Sequence, residues 1–120
     1  IEGDSAFGFS GMEIETICRY KLPVTILILN NGGIYRGDEK GQGQNGDPAP
    51  TMLMPEARYD RLIEAFGGMA FHVPKPVELE EALCAALASR RPSLINCVID
   101  PSVGLESGHI GNLNPHSSVK

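Results

Sequence analysis

Apolar residues recur along this chain in two alternating rhythms. Between Gly11 and Tyr20, Met12, Ile14, Ile17 and Cys18 fall at helical spacing, with Ser10 placed as N-cap and Glu13 three positions on. That capping-box arrangement predicts a helix over about residues 11–20. "LPVTILILNN" follows as a continuous β-branched and apolar run, the pattern of a strand buried on both faces of a parallel sheet. "ARYDRLIEAFGG" returns to helical spacing with Tyr59, Leu62, Ile63 and Phe66 and ends on a Gly-Gly stop, and "MAFHV" reads as a short strand. In "PVELEEALCAALASRR" a stripe of Leu79, Ala82, Leu83, Ala86 and Leu87 is framed by acidic residues in the first turn and arginines in the last, which complements a helix dipole. "PSLINCVID" is one more buried strand.

Strands alternating with helices predict a three-layer α/β/α domain with a mostly parallel sheet. The expected domain spans residues 1–101, and residues 102–120 form a polar tail without periodicity. "IEGD" at the start reads as the last residues of a strand. The chain is therefore expected to be the C-terminal domain of a longer polypeptide, incomplete at its N-terminus. Residues 36–51, "RGDEKGQGQNGDPAPT", carry no period and predict an exposed loop, either a lid or a surface insertion.

Composition narrows the function. At 120 residues and 42% hydrophobic side chains the chain can bury the core of one domain. A net charge of −5 with no basic run argues against a nucleic-acid partner. No apolar stretch approaches the roughly 20 residues a membrane helix needs. Cys18, Cys84 and Cys97 lie far apart in apolar contexts and read as reduced core residues of a cytoplasmic protein.

Ligands of open α/β sheets bind beyond the carboxyl ends of strands, and two such ends are marked here, Asp4 after the first strand and Asn30-Asn31-Gly32-Gly33 after the second. A carboxylate, an amide carbonyl and glycine carbonyls make an all-oxygen set suited to Mg²⁺ or Ca²⁺ and poorly to Zn²⁺. Ser5, Ala6, Gly8 and a helix start near Gly11 offer backbone N–H groups to an anion. In the first 35 positions the only basic residues are Arg19 and Lys21. They are expected roughly 12 to 15 Å from that helix start, too far to neutralise a phosphate. A divalent cation bridging Asp4, Asn31 and a diphosphate resolves this deficit. Asp4 as a plain helix cap and Asn30–Gly33 as an ordinary turn remain alternatives on spacing alone.

Gly3-Asp4-Ser5 with Asn31 following Asp4 by 27 positions resembles the motif of thiamine-diphosphate-dependent enzymes, with Ser5 where the motif has Gly. "GDSAFGFSGMEIETICRYKLPVT", "NNGGIYRGDE", "RYDRLIEAFGG" and "PSLINCVIDP" resemble, more narrowly, the oxalyl-CoA decarboxylases, with 2-hydroxyacyl-CoA lyases as near relatives. The resemblance implies thiamine diphosphate and Mg²⁺ as cofactors. It assigns the metal to Asp4, the Asn31 side chain and the Gly33 carbonyl, and the diphosphate to Ser5, Ala6, Ile34 and Tyr35. Tyr35 would also face the substrate, although without the resemblance it reads first as a plain loop aromatic. In the tail "ESGHIGNLN", Ser107 matches a segment that covers the bound acyl-CoA. His109 stands there where Arg is expected, and an imidazole lacks the bidentate grip of guanidinium on the oxalyl carboxylate.

The implied activity is a carbon–carbon lyase, converting oxalyl-CoA to formyl-CoA and CO₂. Its upstream partners would be a middle domain and a pyrimidine-binding domain whose glutamate activates the cofactor across a homo-oligomer. The fragment alone would be inactive. 2-Hydroxyacyl-CoA lyase and a non-catalytic cofactor-binding piece are the alternatives. His72 and His116 read as structural, and an ending in Ser-Ser-Val-Lys lacks the peroxisomal Ser-Lys-Leu type signal.

Overall fold

The computed structural model of the chain describes residues 1–34 and 46–101. Four strands, β1 (Glu2–Gly3), β2 (Thr25–Asn30), β3 (Met69–Val73) and β4 (Ser93–Val98), form one sheet in the order β1-β2-β4-β3. Every neighbouring pair is parallel, with Thr25 to Asn30 in register with Ser93 to Val98 and Met69 to Val73 with Ser93 to Cys97. β4 therefore lies inside the sheet, and Ser93 to Cys97 are all buried, which accounts for its unbroken apolar reading.

Side chains alternate across the strands and sort into two cores. Leu27, Val73, Ile95 and Cys97 pack with Ala82 and Ala86 of α4 (Leu79–Ser89), flanked by Leu79 and Leu83. On the opposite face Ile28 and Leu94 meet Phe7 of α1 (Asp4–Ser10), Ile14 of α2 (Glu13–Arg19) and Ile63 of α3 (Asp60–Ala65). Two helical layers thus sandwich a parallel sheet, as the alternation of elements predicts. No helix among the described residues is long and apolar enough to cross a membrane.

Three local expectations are corrected. The helix expected over 11–20 is α2, but it is preceded by a further helix, α1, which begins at Asp4 directly after Gly3 in extended conformation. Ser10 ends α1 and cannot take the extended backbone of an N-cap; Met12 occupies that position before α2 without a side-chain cap. Gly11 joins the two because a Cβ there would lie 2.9 Å from Phe7 Cε1 and 3.0 Å from the Phe7 carbonyl oxygen. In α4, Leu87 is 65% exposed, being one residue and about 100° round from the sheet-facing Ala86. The arginines fall beyond the helix, with Arg90 at the C-cap in left-handed conformation, φ 51°. Cys84 lies on the solvent side of α4, whereas Cys97 is buried, and all three thiols are free.

The Gly-Gly stop after α3 is a Schellman end. Gly67 takes φ +78° and donates to the Glu64 carbonyl at 2.9 Å, and Gly68 donates to the Ile63 carbonyl at 2.9 Å. Two consequences position the site: α1 starts at the carboxyl edge of β1, and the chain leaving β2 at Asn30 runs beside it.

Candidate metal and diphosphate site

Asp4 is the first residue of α1 and is 1% exposed. Its Oδ1 accepts the Ser5 N–H at 2.9 Å and its Oδ2 accepts the Gly32 N–H at 2.9 Å. The 27-position spacing therefore closes in space, with the turn after β2 folded onto the carboxylate. That turn is held from its other side by Thr51–Leu53: Ile34 donates to the Thr51 carbonyl at 2.8 Å and Leu53 to the Gly32 carbonyl at 2.9 Å, around an antiparallel bridge of Gly33 with Met52. In such a bridge the flanking residues make the bonds, so the peptide groups of Gly33 itself face the other way. Gly32 permits the reversal with φ +76°.

Gly3, Asp4, Ser5, Asn31, Gly33 and Ile34 line one cavity of about 360 Å³ at the carboxyl ends of β1 and β2. This is the size of a small-molecule site. It adjoins a larger cavity of about 690 Å³, Asn31 and Ile99 lining both. Of the residues singled out from sequence, the structure thus gathers Asp4, Asn31, Gly33, Ser5 and Ile34. Ala6 is exposed and does not line the cavity. Tyr35, Ser107 and His109, with most of the loop at 36–51 and the tail at 102–120, lie outside the described residues.

Burial raises the Asp4 carboxyl above its ordinary range, and backbone hydrogen bonds from Ser5, Gly32 and Gly33 oppose that rise without cancelling it. The neighbouring Tyr59 phenol is also raised, by burial and then by the charge of Asp4. Among the described residues no lysine, arginine or histidine pairs with Asp4. Arg19 is engaged with Glu15 at 3.0 Å and stacks 4.8 Å from the Tyr20 ring centroid. A buried carboxylate in this state is one that a divalent cation would stabilise. The donors at hand are oxygens: the Asp4 carboxylate, the Asn31 amide oxygen, which accepts the Gly33 N–H at 3.3 Å, and the carbonyl of Gly33. No group of three or more His, Cys, Asp or Glu converges on a cation position among the described residues. A hard cation that keeps phosphate or water ligands fits such a set.

Sequence reasoning passed over three residues behind this turn, Arg58, Asp60 and Asn96, and named Asn30 only as part of the strand end. Asn30 and Asn96 are 5% and 0% exposed at the ends of β2 and β4, joined at 3.1 Å through Asn30 Nδ2 and Asn96 Oδ1. Asp60, 2% exposed, opens α3 and is gripped by Arg58 at 2.9 and 2.6 Å. Burial opposes the ionisation of Asp60, but the hydrogen bonds and charge of Arg58, aided by Asn96, overcome it and hold its carboxyl below the ordinary range. The available signal was a polar residue, Asn96, inside the otherwise apolar "SLINCV".

Known proteins resemble this chain over most of its length. The chain is 62% identical over 115 residues to oxalyl-CoA decarboxylase of Escherichia coli strain K12, covering 96% of this chain and 20% of that protein. It is 49% identical over 119 residues to 2-hydroxyacyl-CoA lyase of Arabidopsis thaliana, covering 95% of this chain and 21% of the lyase. The chain therefore spans about a fifth of the length of the curated relatives it matches. Among solved structures, a thiamine diphosphate-dependent 4-hydroxybenzoylformate decarboxylase of Rhodococcus jostii RHA1 superposes with TM-score 0.64 at 29% identity, covering 82% of this chain and 19% of that one. A Mycobacterium smegmatis protein described as thiamin diphosphate-dependent gives TM-score 0.65 at 24% identity, covering 82% of this chain and 17% of that one, a likeness of fold alone. Residues 1–97 match the C-terminal TPP binding domain of thiamine pyrophosphate enzymes, and the chain belongs to that family.

Proposed function

We propose that this chain is the cofactor-binding part of a thiamine-diphosphate- and Mg²⁺-dependent oxalyl-CoA decarboxylase. The observation that carries the reading is Asp4, a buried carboxylate without a cationic partner among the described residues, facing Asn31 and Gly33 across one cavity. Asp4, the Asn31 amide oxygen and the Gly33 carbonyl hold Mg²⁺, and Ser5 and Ile34 line the space for the diphosphate. Ala6, Tyr35, Ser107 and His109 are assigned by family resemblance alone, Tyr35 and the 102–120 tail on the substrate side. Bound thiamine diphosphate supplies the electron sink for decarboxylation. This chain's part is to anchor the diphosphate, orient it through the turn at 31–33, and compensate its charge at a place with no basic side chain.

The reaction is oxalyl-CoA plus a proton giving formyl-CoA and CO₂. The rest of the machinery, a pyrimidine-binding domain with its glutamate and a middle domain, belongs to the remainder of a longer polypeptide that assembles as a cytoplasmic homo-oligomer. The 62% identity to a named oxalyl-CoA decarboxylase, against 49% to a named lyase, supports the decarboxylase over the lyase. His109, where Arg is expected, favours 2-hydroxyacyl-CoA lyase as the second reading. Assaying the full-length enzyme with oxalyl-CoA, and separately with formyl-CoA plus an aldehyde, decides between them. Release of CO₂ from oxalyl-CoA is expected; its absence, with carbon–carbon bond formation in the second assay, would replace the decarboxylase by the lyase.

A further inference from the structure

Both N–H groups of the Asn30 amide are committed. Nδ2 donates to Asn96 Oδ1 at 3.1 Å and to the Ala57 carbonyl at 3.1 Å. Oδ1 is thereby turned toward Gly32, whose N–H it accepts at 3.1 Å. Asn96 repeats the arrangement one strand over, donating to the Ala57 carbonyl at 2.9 Å and to Asp60 Oδ1 at 3.4 Å while accepting from Asn30. Asp60 is fixed by the two bonds from Arg58. Flipping either amide would set oxygen against the Ala57 carbonyl, so the orientation is determined by the network. From Gly32 through Asn30 and Asn96 to Asp60, every donor points the same way, toward the carboxylate that ends the series. Aligned bonds of this kind polarise one another.

We infer that Asn96 and Asp60 are positioning residues for the metal-holding turn, acting through Asn30 on the N–H of Gly32. The inference rests on the metal reading of Asp4, Asn31 and Gly33. The Gly32 N–H is shared between Asn30 Oδ1 and Asp4 Oδ2, at 3.1 and 2.9 Å. A divided N–H neutralises Asp4 less than an undivided one and leaves more of its charge for a cation. It also pins Gly32 in the left-handed region, φ +76°, where a small rotation would swing the Gly33 peptide away from Asp4. Stability alone does not explain the device. Buried polar networks are often matched or exceeded by apolar residues of the same volume, yet here every buried side-chain nitrogen and oxygen among the described residues is satisfied.

The test is Mg²⁺ titration of the full-length protein at saturating thiamine diphosphate, read by calorimetry, with amide exchange of the peptide containing Gly32 as a second readout. Outer partners of metal ligands typically change affinity about 10–100-fold. Asn96→Leu is expected to raise the Mg²⁺ Kd about tenfold or more, Asp60→Asn less, and both to speed exchange at Gly32. A Kd within about twofold of the parent, with exchange at Gly32 unchanged, would overturn the inference whatever happens to Tm. Asp4→Asn in the same titration separates the two readings. If it leaves the Kd unchanged, the metal assignment fails; if it abolishes binding while Asn96→Leu does not weaken it, only the positioning role fails. Should Asn96→Leu not fold, Arg58→Ala, at a partly exposed residue, carries the test: a rise of about threefold supports the role, and no rise overturns it.

Discussion

Two carboxylates in this domain begin as equals and end as opposites. Asp4 and Asp60 each open a short helix on the same face of the sheet, at 1% and 2% exposure. Asp60 has its counter-charge within the fold, Arg58 at 2.6 Å, with His72 Nδ1 3.9 Å away, and its carboxyl is held below the ordinary range despite burial. Among the described residues Asp4 has only backbone N–H partners, and burial carries its carboxyl above that range. Burial is common to both, so the difference is the cation. One buried acid without a cationic partner among the described residues, beside one that is fully paired, is the contrast that motivates the cation proposed at Asp4.

The largest effect should come from breaking that asymmetry at Asp4. Asp4→Ala in the full-length protein is expected to weaken Mg²⁺-dependent retention of thiamine diphosphate by about 100-fold or more, beyond the range of outer-partner losses. Its Tm without cofactor should hardly fall, because the removed group is a buried charge that desolvation disfavours and Gly32 keeps its bond to Asn30. Equilibrium dialysis and thermal melts of the same variant check both halves. Retained cofactor affinity would leave Asp4 a structural acid in the first turn of α1.

Asp60 should respond in the opposite currency. Asp60→Ala removes the buried member of an ion pair with the partly exposed Arg58, and the acceptor of Asn96, and is expected to lower stability by about 2 kcal/mol, measured by denaturant unfolding. The pH dependence follows from the direction of its shift. A carboxyl depressed in the fold contributes stability that is present above its unfolded value, about 3.9, and is lost as pH falls through the folded value. Asp60→Asn should therefore be less stable than the parent at neutral pH, with the gap closing as the parent is acidified below about pH 4. Among the described residues the groups facing Asp60 are Arg58, His72 and Asn96.

Most of the architecture was legible because it rests on local periodicity. The apolar runs at β2 and β4, the Ala82–Ala86 face of α4 and the Gly67 stop each carry their signal within a few residues. The approach of the turn after Asn30 to Asp4 was legible too, since the two sit at a spacing that one crossover closes. What escaped notice is non-local. Asn30, Ala57, Asp60 and Asn96 meet only after β4 inserts between β2 and β3. Nothing in "RYDRL" announces that its Asp points inward to another strand's amide. The capping box at Ser10 failed for a related reason: its residues fit, but a helix launched at Asp4 had already claimed Ser10.

The smallest effect is also the control that separates positioning from stability. Gly67 sits about two turns beyond Asp60, at φ +78° with no heavy atom within 4 Å of where a Cβ would stand. Gly67→Ala therefore meets no packing obstacle and changes only the backbone preference, which should lower stability by about 1 kcal/mol. Gly68→Ala next door would differ in kind, since its Cβ would fall 2.5 Å from Ile63 Cγ1. Because Gly67→Ala weakens α3 without touching Asp60, Asn96 or Asn30, the Mg²⁺ Kd of the full-length variant should match the parent at temperatures well below Tm. If a pure backbone penalty at the far end of α3 weakened Mg²⁺ binding as much as Asp60→Asn does, the two carboxylates would be linked through helix stability. Their contrast would then no longer be one of local charge.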